Sequence, residues 1–137
     1  MIEKNLNNSK TGNQLITGVD IVNVGRIDKI LLDNRQQFYN KIFTLEEINY
    51  IEKKGHKPTT VSGLFAAKEA VSKALGTGIG VLGWKDVEIL HEPKGRPYIN
   101  FTERGQNIVD KIGIGELQIS ISHEKEYAIA FVVGFIS

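Results

Sequence analysis

The sequence predicts an α+β chain, with most helices in the first half and antiparallel strands in the second, on three observations. An alanine-rich stretch over residues 60–75 has helical periodicity and runs into Gly76, which is placed to close it as a left-handed cap. Beyond the glycine-rich residues 76–83 the spacing of apolar side chains changes from helical to alternating. A hairpin then declares itself: Val87 and Ile89 alternate with Asp86 and Glu88, a turn falls at Glu92-Pro93-Lys94-Gly95, and Tyr98-Ile99-Asn100-Phe101 returns.

Each element has a local reason. The β-branched run Leu15-Ile16-Thr17-Gly18-Val19-Asp20-Ile21-Val22 predicts a strand, and Asn23 is available to cap a helix from Val24 to about Leu32. Thr44 and Glu47 have capping-box spacing, which predicts a second helix from Leu45 to about Lys54, ended by Gly55. Pro58 resets the chain before the long helix. After the hairpin, residues 102–112 predict a short helix. Leu117, Ile119 and Ile121 alternate as a strand, and a turn at 123–126 leads into a last strand over 127–136. That last run is apolar on both faces, so it must be sandwiched under helices or buried against another subunit; oligomeric burial is the favoured reading.

Composition narrows the function classes. A chain of 137 residues suffices for one domain, here expected over 14–137, with roughly two thirds of its unfolded surface buried on folding. Residues 1–13 are polar and asparagine-rich and are expected to form a disordered tail. The chain has no cysteine, which removes disulfides, zinc–thiolate sites and thiol nucleophiles and suits a reducing, cytoplasmic setting. Seventeen basic and sixteen acidic side chains give a net charge of +1, no footprint for nucleic acid or a membrane surface.

The chemistry-bearing residues gather on the long helix. At about 100° per residue, Leu64, Ala67, Val71, Ala74 and Leu75 form an apolar stripe, and the opposite arc collects Ser62, Phe65, Glu69, Ser72, Lys73 and Gly76. Glu69 and Lys73 stand one above the other among small residues that leave room for a ligand; the bland alternative is a surface ion pair. Asp20 lies in an apolar run, where an ionised carboxylate needs a cation or several donors, unless it merely caps the next helix. Two carboxylates plus phosphate oxygens and waters satisfy magnesium, so Asp20 and Glu69 are candidate ligands, with Lys73 reaching a phosphate.

Other motifs are weaker. The glycine-rich segment follows a helix, whereas Rossmann and Walker loops follow a strand and open a helix, so neither applies. Ser120-Ile121-Ser122-His123 ends a strand, where a histidine could meet an anion or simply be exposed. His56, His91 and His123 lack zinc-protease spacing, and no G-x-S-x-G elbow is present. Lys53, Lys54, His56 and Lys57 complement a helix end and are expected to be solvated.

Four motifs in order, Gly18-Val19-Asp20-Ile21 with Arg26, Phe65-Ala66-Ala67-Lys68-Glu69-Ala70-Val71-Ser72-Lys73-Ala74-Leu75-Gly76-Thr77-Gly78-Ile79-Gly80, Gly95-Arg96-Pro97-Tyr98 and Ser120-Ile121-Ser122-His123, resemble the holo-acyl-carrier-protein synthase family of bacterial phosphopantetheinyl transferases, across residues 15–137. The resemblance implies an α+β fold with a long helix against an antiparallel sheet, assembled as a homotrimer with active sites between subunits. It implies transfer of 4'-phosphopantetheine from coenzyme A to a serine of apo-acyl carrier protein, in support of fatty acid biosynthesis. Asp20 and Glu69 would ligate Mg2+, and Lys73 would contact the attacked phosphate. Ser72, Lys73, Gly76, Ile79, Pro97 and His123 would line the coenzyme A site, while Arg26 and Ile30 would dock the carrier protein. The serine proton would pass to Glu69 or to a water on the magnesium. The chain departs from the family pattern at Leu64, often arginine there, and around residues 34–37, where only Arg35 is basic.

Overall fold

The computed structural model describes residues 14–136, so the tail expected over 1–13 lies outside the described residues. Strand β1 (Gln14–Asn23) leads into α1 (Val24–Ile42), α2 (Leu45–Lys53) and the long α3 (Pro58–Leu75). A 3-10 turn (Trp84–Asp86), the hairpin β2 (Val87–His91) and β3 (Pro97–Phe101), α4 (Glu103–Ile112), β4 (Ile114–His123) and β5 (Tyr127–Ile136) follow. Two antiparallel sheets result: three strands in the order β1-β5-β4, and the β2-β3 pair.

The local signals explain where elements start. Asn23 caps α1 through a bond from the Arg26 N–H, and Thr44 and Glu47 form the reciprocal capping box of α2. Gly76 closes α3 with φ of 75°, a conformation costly for a residue bearing a Cβ. Helix α3 begins two residues before the expected Thr60, because Pro58 occupies its first turn, where a missing N–H costs nothing. Helix α1 continues ten residues past the expected Leu32, bent at Asn34 (φ −144°, ψ 43°). Its second half is held by packing: Tyr39 and Ile42 are buried, and Phe38 lies 5.8 Å from the Phe65 ring.

Helix α3 lies across one face of the three-stranded sheet. Gly18 of β1 meets it so closely that a Cβ would stand 2.1 Å from the Ala70 carbonyl oxygen. Gly63, near the other end of α3, faces Ile121 of β4. The helix therefore crosses the sheet obliquely, from β4 at its start to β1 at its end. Ala128, Ala130 and Val132 of β5 are buried beneath it, and Leu64, Ala67, Val71 and Leu75 join the core, as the apolar stripe predicts.

The expected opposite arc needs correction. Ser62 and Ser72 are buried, so the open strip of α3 narrows to Phe65, Glu69, Lys73 and Gly76. In the last strand α3 covers one face, while Ile129, Phe131 and Phe135 stay exposed within this chain on the other, beside Leu15, Val19 and Ile21 of β1. No helix among the described residues is long and apolar enough to cross a membrane.

Candidate active site

Side-chain alternation along β1 determines which residues can meet α3. Gly18, Asp20 and Val22 point toward the helix, and Val19 and Ile21 point away. The missing Cβ at Gly18 lets β1 settle against Ala70 and Ala74, which brings Asp20, two residues on, beside the strip carrying Glu69 and Lys73. A cleft of about 260 Å³ opens there, lined by Asp20, Arg26, Phe65, Glu69 and Lys73. Arg26 enters it from the first turn of α1, whose start Asn23 fixes by accepting the Arg26 N–H at 3.0 Å.

Lys73 turns away from its helical neighbour. Its Nζ donates to Asp20 Oδ1 at 2.9 Å and to the Val19 carbonyl at 3.2 Å, so the expected surface alternative of a Glu69–Lys73 pair does not occur. The hydrogen bond to Asp20 holds the Lys73 ammonium above its ordinary range. Glu69 is half-buried, and its side chain makes no hydrogen bond among the described residues. Desolvation, followed by the charge of Asp20, raises the Glu69 carboxyl above its ordinary value, with Lys73 opposing. The two acids therefore feel each other's charge across one cleft.

This donor set suits a hard divalent cation that takes the rest of its ligands from elsewhere. Magnesium is commonly held by one or two carboxylates, phosphate oxygens and waters. Among the described residues no group of three or more histidine, cysteine or acidic side chains could hold a metal. The half-exposed Lys73 ammonium already marks the place where Asp20 meets positive charge.

The remaining candidates divide between two places. Gly76 and Ile79 lie in the loop leaving α3 just beyond Lys73. Ser72 is buried, its hydroxyl donating back to the Glu69 carbonyl at 2.8 Å, so the hydroxyl is committed to the helix. Pro97 and His123 line a different cleft, of about 230 Å³, with Thr60, Gly63 and Leu64. Pairing sets Val22, Ala128 and His123 level across the sheet, which puts β1 and β4 about 10 Å apart. Helix α3 lies between the two clefts. Ile30 packs half-buried against the core, while Arg26 is exposed.

Sequence reasoning missed Lys68 and the second role of Glu47. Both are fully buried, with Lys68 Nζ 2.7 Å from Glu47 Oε1. Lys68 sits four residues after Leu64 and three before Val71, inside the apolar stripe, and that position was the available signal. Of the basic group near 53–57, His56 is also not simply solvated: its Nδ1 lies 3.0 Å from the Tyr39 hydroxyl.

Two carboxylates and a lysine stand around one cleft where a strand meets a helix, a donor set of the kind that suits a divalent cation and a phosphate ester. The chain belongs to the 4'-phosphopantetheinyl transferase superfamily, which its sequence matches over residues 16–132. It is similar to holo-[acyl-carrier-protein] synthases of Thermoanaerobacter sp. (strain X514), 44% identical over 88% of this chain and 86% of that protein, and of Alkaliphilus metalliredigens, 48% identical over 82% and 92%. The solved holo-[acyl-carrier-protein] synthase of Helicobacter pylori, in complex with coenzyme A, matches with a TM-score of 0.78. It is 35% identical, with 87% of this chain and 99% of that one covered.

Proposed function

We propose that this protein is a holo-acyl-carrier-protein synthase, transferring 4'-phosphopantetheine from coenzyme A to a serine of apo-acyl carrier protein and releasing 3',5'-ADP. The observation that carries this reading is the convergence of Asp20, Glu69 and Lys73, from elements some fifty residues apart, on one cleft in a chain of this superfamily. Asp20 and Glu69 would hold Mg2+, which when bound supplies charge neutralisation at the pyrophosphate.

The chain's own residues supply the rest. The serine oxygen attacks the β-phosphorus in line, a new P–O bond forms, and the bond to the departing 3',5'-ADP breaks. Lys73, half-exposed at its tip, is free to turn from Asp20 to the phosphoryl oxygens and stabilise their developing charge. The serine proton would pass to Glu69, which lines the same cleft, or to a water on the magnesium. Arg26 at the mouth of the cleft offers positive charge to an acidic carrier protein, with Ile30 one turn on.

Pro97 and His123 stand across α3 from this cleft, so one chain alone does not bring all the candidate coenzyme A residues together. A homotrimer solves this: a neighbouring subunit's Pro97 and His123 would complete the site, and the exposed apolar face of β1 and β5 would be the contact. The working setting is the cytoplasm, in support of fatty acid biosynthesis.

The test is direct. Mixed with coenzyme A, Mg2+ and an apo-acyl carrier protein, the protein should raise the carrier's mass by one phosphopantetheine. A carrier of unchanged mass, with coenzyme A bound but not consumed, would leave a binding module in its place.

A further inference from the structure

We infer that the buried Glu47–Lys68 pair is a positioning device for the active cleft: by gripping the backbone on either side of the 3-10 turn, Lys68 seats Trp84 on Phe65 and fixes the wall beside Glu69. The inference rests on the proposed reading of that cleft as the reaction centre.

The pair is costly where it stands. Both side chains are excluded from solvent, and burial pushes the Glu47 carboxyl up and the Lys68 ammonium down, each opposed by the partner's charge. Well-packed apolar residues of similar volume are often as stable as a buried ion pair, so stability alone gives little reason for it. What the pair makes is a connection. Lys68 spends its three N–H groups on Glu47 Oε1, on the Trp84 carbonyl at 2.8 Å and on the Val87 carbonyl at 2.6 Å. Glu47 in turn accepts the N–H of Thr44 at 2.9 Å and of Ile89 at 2.8 Å. One buried knot thus joins α2, α3, the 3-10 turn and β2.

Its reach extends to the cleft through two rings. Trp84 stacks on Phe65 with centroids 5.1 Å apart and planes 25° apart, and Phe65 lines the cleft one helical turn before Glu69. Lys68 itself directly precedes Glu69. A second fastening holds the same segment from outside: Asp86 accepts from the Gly83 N–H at 2.9 Å and the Thr102 hydroxyl at 2.7 Å and pairs with Arg104, whose other arm donates to the Val81 carbonyl at 2.9 Å. The Phe65–Trp84 wall is therefore pinned from the core by Lys68 and from the surface by Asp86.

Trp84 is the only tryptophan in the chain, so its emission reports this contact alone. The double variant Glu47→Gln with Lys68→Met removes both charges together and keeps an acceptor at 47. It should red-shift the emission, raise quenching by acrylamide and lower kcat roughly tenfold or more, the scale on which a misplaced reacting group costs rate. Trp84→Ala leaves the buried pair intact and should lower kcat similarly; it decides the matter if the double variant does not fold. A purely structural pair would lower the melting temperature while the folded enzyme kept its emission and kcat. The inference is overturned if either variant, folded, keeps kcat within about twofold of the wild type. Asp20→Asn, assayed alongside, separates the two readings. If it abolishes turnover while the other variants keep it, only the positioning role falls; if it retains turnover, the reading of the cleft falls and this inference with it.

Discussion

A Cβ at Gly18 would meet the Ala70 carbonyl oxygen at 2.1 Å and the Ala74 nitrogen at 2.6 Å, both backbone atoms that cannot swing aside. Gly18→Ala should therefore push β1 off α3, costing about 1–3 kcal/mol of stability by overpacking. Turnover should fall with it, because Asp20 rides on the same strand face; thermal melting and the carrier mass assay check both. The charges in the cleft should behave oppositely. The Asp20–Lys73 contact is half-exposed on the lysine side, so Lys73→Ala should barely change the melting temperature. It should lower turnover by about two to three orders of magnitude, as loss of a transition-state charge partner does. The same logic explains what was readable residue by residue. Asp20 was visible as a carboxylate in an apolar run, and Glu69 and Lys73 as an acid and a base one turn apart on a helix face of small residues, whereas Lys68 gave its signal only by its place in the apolar stripe.

At the scale of elements, α3 does most of the positioning; its end was legible because a cap is local, with Gly76 in the left-handed region, whereas its start falls at Pro58, two residues before the expected Thr60. The length of α1 was not legible. Beyond Asn34 the helix persists because Phe38, Tyr39 and Ile42 find partners in other elements, which no local propensity records. The segment leaving α3 carries a pH dependence. Burial alone would push the Asp86 carboxyl up, but the Thr102 hydroxyl, the Gly83 N–H and the Arg104 guanidinium outweigh it and hold it below its ordinary value. At intermediate pH the unfolded chain then binds the extra proton, so this contribution is complete above the ordinary carboxylate range and lost as pH falls through the folded value. Melting temperature followed on acidification should drop more steeply for the wild type than for Asp86→Asn.

On the scale of the whole molecule, the sheet face turned away from α3 has no cover within the described chain. Ile21 is 62% exposed, Phe131 45% and Phe135 50%, and they stand side by side because β1 pairs with β5 throughout. A second copy covering this face follows from the proposed trimer. Ile129→Glu with Phe131→Glu should lower the sedimentation mass to that of a single chain and abolish turnover, while leaving the helical content of the fold in place. By itself the sequence determined the element types, their caps, the hairpin turn and the identities of the three cleft residues, since each depends on neighbours within a turn or a strand. Tertiary structure alone decided that Lys73 pairs with Asp20 across the fold instead of with Glu69, that Lys68 points inward, and that His123 lies on the far side of α3 from the cleft. Those outcomes depend on where an oblique helix crosses a sheet, and that crossing is set by close contacts such as Gly18 against Ala70, between residues far apart in the chain.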